Sequence, residues 1–162
     1  MPAPEGGLDR ILLIGCGKTN TADEADLLKI GGKIMATIGK AEKVTVMADA
    51  SNMDEDFSPE AVAMIAGGCK LRGYRFDDYL TKGREADKKE SKAKKVVFGT
   101  NNLATTKKVW TRVDGVTDGV LLARQLVNEP ANVLGPIEFA KQAQKLKSLG
   151  VEVEVHDVPK MQ

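Results

Sequence analysis

Histidine is almost absent from this sequence of 162 residues, which contains one histidine and two cysteines. The single His156 excludes an HExxH zinc motif and any metal site built on paired histidines. Cys16 and Cys69 lie far apart and match no CxxC spacing, so we expect two reduced, mostly buried thiols. No apolar run approaches the roughly 20 residues that a membrane helix needs. The sequence therefore predicts no membrane partner.

A strong charge of one sign is also lacking, since 24 basic and 23 acidic residues give a formal net charge of +1. Such a balance excludes a general electrostatic attraction to nucleic acids or acidic membranes. The first seven residues show neither the basic start nor the apolar stretch of a secretory signal peptide. Because 42% of the residues are apolar and 29% are charged, the composition is that of an ordinary soluble globular protein. We expect a cytoplasmic location.

Short apolar runs predict three strands, at residues 10–15, 44–48 and 95–99. A helix predicted between the first two should make them parallel strands of a βαβ unit. Strands that alternate with helices at this spacing are typical of an α/β domain. A fourth strand is predicted at residues 151–156, where valine alternates with polar residues.

The first helix should begin at a capping box formed by Thr21 and Glu24 and end near residue 39. It contains two adjacent glycines, Gly31 and Gly32, each of which weakens a helix by about 1 kcal/mol relative to alanine. Glycines kept at that cost indicate a close approach of another element. We expect this helix to pack closely on a sheet.

Two further helices are predicted from proline position and apolar spacing. One begins with Pro59 at its first position and either ends at the glycine pair 67–68 or continues to residue 71. The other should run from about residue 113 to 127, with an apolar stripe made of Val113, Val116, Val120, Ala123 and Val127.

Residues 126–136, with the sequence LVNEPANVLGP, predict an elbow between two helices. Pro130 cannot continue a helix and disfavours helical conformation in the residue before it, so the first helix should end near Asn128. Gly135 and Pro136 are typical of an N-cap and a first helical position, and the next helix should run to about residue 149. Such an elbow is a natural joint between two domains.

The elbow resembles that of a known family. Together with DGVLLARQ at 118–125, EFA at 138–140 and GVEVEV at 150–155, it resembles the leucyl (cytosol) aminopeptidases of peptidase family M17. A looser likeness covers GYRFDDY at 73–79. The resemblance implies a cytoplasmic, hexameric metallopeptidase, a hydrolase that uses two zinc or manganese ions. Its substrates would be peptides, from which it removes N-terminal residues, leucine among them.

The resemblance also implies a division of the chain. Residues 1–111 would form most of an N-terminal, non-catalytic α/β domain, 112–132 a linking helix and elbow, and 133–162 the start of the catalytic domain. The expected fold is a three-layer αβα domain of macro-like type with a mixed, largely parallel sheet, followed by the first helix and strand of a second α/β domain. The family's metal ligands and catalytic residues belong to motifs that do not occur here. We therefore expect an internal piece of a longer enzyme, inactive alone and serving assembly or regulation, with no catalytic, metal-binding or substrate-binding residue.

The glycine-rich turn at residues 15–19 allows another function, a macro-like module that binds nucleotides or ADP-ribose. Its sequence suggests a phosphate loop, but a Walker A motif would need a glycine where Leu12 stands, and a dinucleotide fingerprint would need one at Asn20. A tight turn is the expected structure, with weak anion binding at the following helix as the alternative.

A DNA-binding accessory domain is a third hypothesis, although nucleic acid is not the expected partner. Tyr74, Phe76 and Tyr79 are interleaved with Arg72, Arg75 and Lys82, and aromatic rings can stack on bases while cations hold phosphates. A basic run at residues 81–95 follows. Other polar groups are expected to have ordinary roles: a solvated loop at Asp54, Glu55 and Asp56, and helix-end hydrogen bonds at Asn128, Glu129 and Asn132.

Overall fold

The structure, a computed structural model, describes residues 7–17, 22–39, 41–48, 57–79 and 95–161. In chain order its elements are α1 (Glu24–Thr37), β1 (Lys43–Met47), α2 (Pro59–Arg72), β2 (Lys95–Gly99), α3 (Leu103–Asn128), α4 (Pro136–Lys145), a 3-10 helix (Leu146–Leu149) and α5 (Val158–Met161). The predicted α/β class is confirmed. The chain divides into two compact units, Met1–Leu121 and Leu122–Gln162.

Strands β1 and β2 form a parallel pair, with Lys43 opposite Lys95 and Met47 opposite Gly99. Parallel strands need a long crossover, and the connection here contains helix α2. Both strands lie within one residue of their predicted positions. Because side chains alternate across a strand, Val44, Val46 and Phe98 pack against the core, whereas Met47 and Val97 are exposed.

The strand predicted at residues 10–15 is absent, and the βαβ unit built on it is wrong. Residues 10–17 are irregular, and Leu13 is 88% exposed. Only Ile14 packs against the core, while the Arg10 guanidinium donates to the Ile38 carbonyl at 3.0 Å. The strand predicted at residues 151–156 is also wrong, since 151–157 are irregular too. An apolar pattern is a property of one chain segment, whereas a strand also needs a neighbouring strand for its backbone hydrogen bonds. In the described sheet, β1 and β2 pair only with each other.

The core lies between α1, α2 and the sheet, and its buried members are Ile34, Ile38, Ile65 and Cys69. The predicted close approach of α1 is real, but its partner is a helix and not a sheet. A Cβ atom on Gly31 would overlap with the Ile65 carbonyl of α2, and one on Gly68 would overlap with the Leu28 carbonyl of α1. Gly32 has no such contact, because nothing lies within 4 Å of its Cβ position.

Helices α1 and α2 begin at side-chain caps. The predicted capping box at Thr21 is wrong as the start of α1: its N-cap is Asp23, whose carboxylate accepts from the Asp26 amide at 2.8 Å, and Thr21 lies outside the described residues. The Asp23 carboxylate thus satisfies one of the four amides that lack an intrahelical partner at a helix start. Helix α2 begins as predicted, with Ser58 as N-cap and Pro59 after it, and it continues past its glycine pair to Arg72.

Helix α3 begins at Leu103, ten residues before its predicted start, because Asn102 caps it by accepting from the Thr105 amide at 3.1 Å. Its predicted apolar stripe is only partly correct. Val113 and Thr117 are the buried positions, whereas Val116, Val120 and Val127 are exposed. Thr117 fits a buried site because its hydroxyl donates to the Asp114 carbonyl at 2.8 Å.

The elbow is confirmed. Helix α3 ends at Asn128, and the Val133 and Leu134 amides both donate to the Pro130 carbonyl at 2.9 Å. Gly135 is the N-cap of α4, in an extended conformation, with Pro136 at the first helical position. The helix then tightens to 3-10 geometry up to Leu149 and ends at Gly150, whose φ of 83° is a left-handed conformation typical of glycine.

Candidate functional site

The turn after residues 10–15 opens into a groove of about 310 Å³, which is lined by Cys16, Gly17, Ala22, Asp26, Lys29, Ile30 and Lys33. Gly17 has a positive φ of 70°, so the tight turn predicted here is present as far as residue 17. Residues 18–21, which include the rest of the predicted turn, lie outside the described residues. The groove therefore presents two lysines of α1 beside the turn.

The thiol of this groove is a weak nucleophile, and one of its two lysines is paired with a carboxylate. Cys16 Sγ donates to the Ile14 carbonyl at 3.4 Å, and burial raises the pKa of the Cys16 thiol against the opposing influence of Lys33. A protonated thiol is a poor nucleophile. Lys29 forms an ion pair with Asp26 at 2.9 Å, which neutralises part of the positive charge. This arrangement suits weak binding of a small polar ligand better than covalent chemistry.

An ion cluster that the sequence analysis missed joins α2 to α3. Lys70 Nζ lies 2.5 Å from Asp114 Oδ1 and 2.6 Å from Asp118 Oδ1, and the lysine side chain is only 28% exposed. Burial lowers the pKa of Lys70, but hydrogen bonds to both carboxylates outweigh it, so the pKa is raised. The available signal was the i, i+4 spacing of the two aspartates on one helix face. The cluster links α2 to α3.

The aromatic segment after α2 is only half buried. Phe76 and Tyr79 pack in a tilted arrangement, with ring centroids 5.6 Å apart and an interplanar angle of 53°, and Tyr79 is exposed. Arg75 Nε lies 3.0 Å from Asp77 Oδ2, so this cation is paired with a carboxylate. Lys82 and most of the basic run lie outside the described residues. The DNA-binding hypothesis stays a prediction.

The polar groups near the end of the chain have local partners. Gln125 Nε2 donates to Glu129 Oε1 at 2.8 Å, and the Glu129 amide donates to the Gln125 carbonyl at 3.1 Å, as expected of helix-end hydrogen bonding. Asn132 is exposed. His156 Nε2 lies 3.1 Å from Glu154 Oε1 on an exposed segment.

Metal ligands do not converge in the part of the chain that the structure describes, where no group of three His, Cys, Asp or Glu side chains could hold an ion. The acidic triplet Asp54, Glu55 and Asp56 lies outside that part. Among the described helices none is long and apolar enough to cross a membrane.

A known family and two curated relatives that match this chain are all described as cytosol aminopeptidases. The family of cytosol aminopeptidases, in its N-terminal domain, matches residues 1–83. A probable cytosol aminopeptidase of Rhodopseudomonas palustris strain TIE-1 is 45% identical over 161 residues, which are 98% of this chain and 32% of that protein. Another, from Rhizobium rhizogenes, is 44% identical over 156 residues, which are 94% of this chain and 31% of that protein.

The solved structure of the bottromycin maturation enzyme BotP matches with a TM-score of 0.71 at 22% identity, over 91% of this chain and 30% of that chain. BotP in complex with Mn matches with a TM-score of 0.70. At this identity the likeness concerns the fold. The chain spans about a third of the length of all these proteins.

Proposed function

Because this chain belongs to the cytosol aminopeptidase family, we propose that it forms the N-terminal, non-catalytic part of a metal-dependent aminopeptidase that acts on peptides. The observation that carries the proposal is the 45% identity over 161 residues to a probable cytosol aminopeptidase. The complete protein would release N-terminal residues, leucine among them, in the cytoplasm.

The complete enzyme would hold two divalent ions, zinc or manganese, which activate a water and polarise the scissile carbonyl when bound. The described residues do not fit such a pair, since they bring no three metal-ligating side chains together. His156, a common type of ligand, lies beside Glu154 alone on an exposed segment. The ligands would lie in polypeptide corresponding to the two thirds of the relatives that this chain does not match.

The role of this chain would be assembly or regulation. Residues 1–111 would form the accessory domain, 112–132 the linking helix and elbow, and 133–162 the start of the catalytic domain in a hexameric enzyme. The elbow supports a fixed connection, because Pro130 accepts two backbone hydrogen bonds and Pro136 starts the next helix. Proline at these positions limits backbone freedom.

Leucine p-nitroanilide hydrolysis tests this proposal. The purified chain should show no hydrolysis with added Mn²⁺ or Zn²⁺. A chimera in which this chain replaces the matching third of the Rhodopseudomonas palustris protein should hydrolyse the anilide in a metal-dependent way. Activity of the isolated chain, or an inactive but folded and metal-loaded chimera, would contradict the proposal.

Binding of ADP-ribose is a second candidate function, and the groove beside Gly17 is the observation that favours it. Its volume of about 310 Å³ lies at the lower end of small-molecule sites, and Lys33 could pair with a phosphate. Calorimetry with ADP-ribose should then show binding that Lys33→Ala weakens, while Lys141→Ala, on another helix, leaves it unchanged. No heat at millimolar ligand would exclude this candidate.

A further inference from the structure

Residues 10–15 are an apolar segment typical of a β-strand, but they belong to no strand in this structure. Ile11, Leu12 and Leu13 are all exposed, and Leu13, at 88%, is the most exposed large apolar side chain of the described residues. Within the described part of the chain, neither the amide nor the carbonyl of Leu12 or Leu13 forms a hydrogen bond. Unpaired backbone groups beside exposed apolar side chains form a template for pairing with another strand.

The segment can become a strand without backbone strain. Among the described residues only glycines have a positive φ, so residues 10–14 already lie on the side of φ that strands use. Ile14 packs against the core and so fixes one side of the segment. Because side chains alternate along a strand, Leu12 then lies on the inner side, whereas Ile11 and Leu13 point outward. The exposed fractions agree, since Leu12 is less exposed than either neighbour.

The segment's best partner is the same segment of a second copy. Strands β1 and β2 begin with Lys43 and Lys95, which lie opposite each other and are both exposed, and edge lysines oppose the addition of another strand. Residues 11–17, in contrast, contain no charged side chain. The formal net charge of +1 also produces little repulsion between two copies.

We propose that residues 10–15 of two copies pair as antiparallel β-strands and form a dimer of this chain. A two-fold axis at Leu12 would set Ile11 of one copy opposite Leu13 of the other, which covers the most exposed apolar side chain. Antiparallel pairing also separates the two Arg10 side chains at opposite ends of the pair. A parallel pair in register would bring these like charges together, which is destabilising.

Sedimentation equilibrium of the 162-residue chain tests this proposal. The weight-average mass should rise from that of a monomer toward that of a dimer between about 1 μM and about 1 mM. Leu13→Lys should raise the Kd of the dimer at least about 10-fold, because each dimer contains two substituted strands. Val127→Lys, which places the same charge at an apolar site of 85% exposure on α3, should leave the Kd unchanged. A chain that stays monomeric over this range would overturn the proposal, as would equal weakening by the two substitutions or an assembly that Leu13→Lys leaves intact.

Hydrogen exchange of the unsubstituted chain shows whether the contact is a strand pair. The amide of Leu12 or that of Leu13 should exchange more slowly as the concentration rises, since alternate amides of a strand point toward one neighbour. Dimers without this protection would overturn strand pairing. In dilute solution Leu13→Lys should unfold at the same urea concentration as the unsubstituted chain, because Leu13 is exposed. The exchange measurement needs no variant, so the proposal can be refuted even if Leu13→Lys fails to fold.

Discussion

Two glycines inside helices, Gly68 and Gly32, should have opposite effects on stability when each is replaced by alanine. Gly68→Ala should lower the free energy of unfolding by about 3 kcal/mol, because the added Cβ overlaps with the Leu28 backbone, which cannot move aside as a flexible side chain could. Gly32→Ala should raise it by about 1 kcal/mol, since its Cβ position is open and alanine favours the helix. Urea unfolding of both variants measures the difference. A neutral Gly68→Ala would contradict the close packing of α1 on α2.

Cys69 should make the free energy of unfolding decrease as the pH rises above 9. Burial raises the pKa of its thiol from 9.0 to about 11, and Sγ lies 3.2 Å from the Gly31 carbonyl. The folded state thus keeps the proton while the unfolded state loses it, so this contribution is complete below pH 9 and declines between pH 9 and about 11. The loss should be on the order of 2 kcal/mol. Urea unfolding at pH 8 and pH 10.5 measures it, and Cys69→Ala should show a smaller decline. Equal declines in both proteins would contradict the assignment.

At the scale of elements, the ion cluster of Lys70 should couple α2 to α3. A double-mutant cycle with Lys70→Met and Asp114→Asn should give a coupling energy of about 1 kcal/mol, the upper end for partly exposed pairs. The same cycle with Asp118→Asn should give less, since Asp118 is more exposed than Asp114. Chemical denaturation at low and high salt provides the values. A zero coupling for Asp114 at low salt would mean that the pair makes no net contribution.

Helix ends were more predictable than strands because their signals are local. Pro130, Gly135 and Pro136 act on their own backbone, and the elbow formed as predicted. The start of α3 was predicted wrongly because the cap, Asn102, stands eleven residues before Val113, the first residue of the predicted apolar stripe. The strand at residues 10–15 failed for a different reason: its apolar run is correct for a strand, but the necessary ladder partner is not a property of the run itself.

Among the candidate site residues too, a role set by local chain position was easier to predict than a contact set by packing between helices. The helix-end role of Glu129 follows from its position and was confirmed. The i, i+4 spacing of Asp114 and Asp118 places both on one face of α3, but it does not identify Lys70 as their partner. That pairing depends on how α2 packs on α3, with Gly67 of α2 near Val113 of α3. The two lysines beside Gly17 likewise became neighbours of the turn only through the fold.

For the whole molecule, we expect the first unit to carry nearly all of the stability, because all buried residues of the described structure precede residue 118. A chain that ends at Asn128 should therefore keep the free energy of unfolding within about 1 kcal/mol of the full chain. A chain that ends at residue 112 also loses Val113 and Thr117, which are buried against Gly67, so it should lose at least about 3 kcal/mol. The single tryptophan, Trp110, is present in both chains and reports unfolding by fluorescence. If the chain that ends at Asn128 lost its cooperative transition, residues 129–162 would have to contribute to the core, against their exposure in this structure.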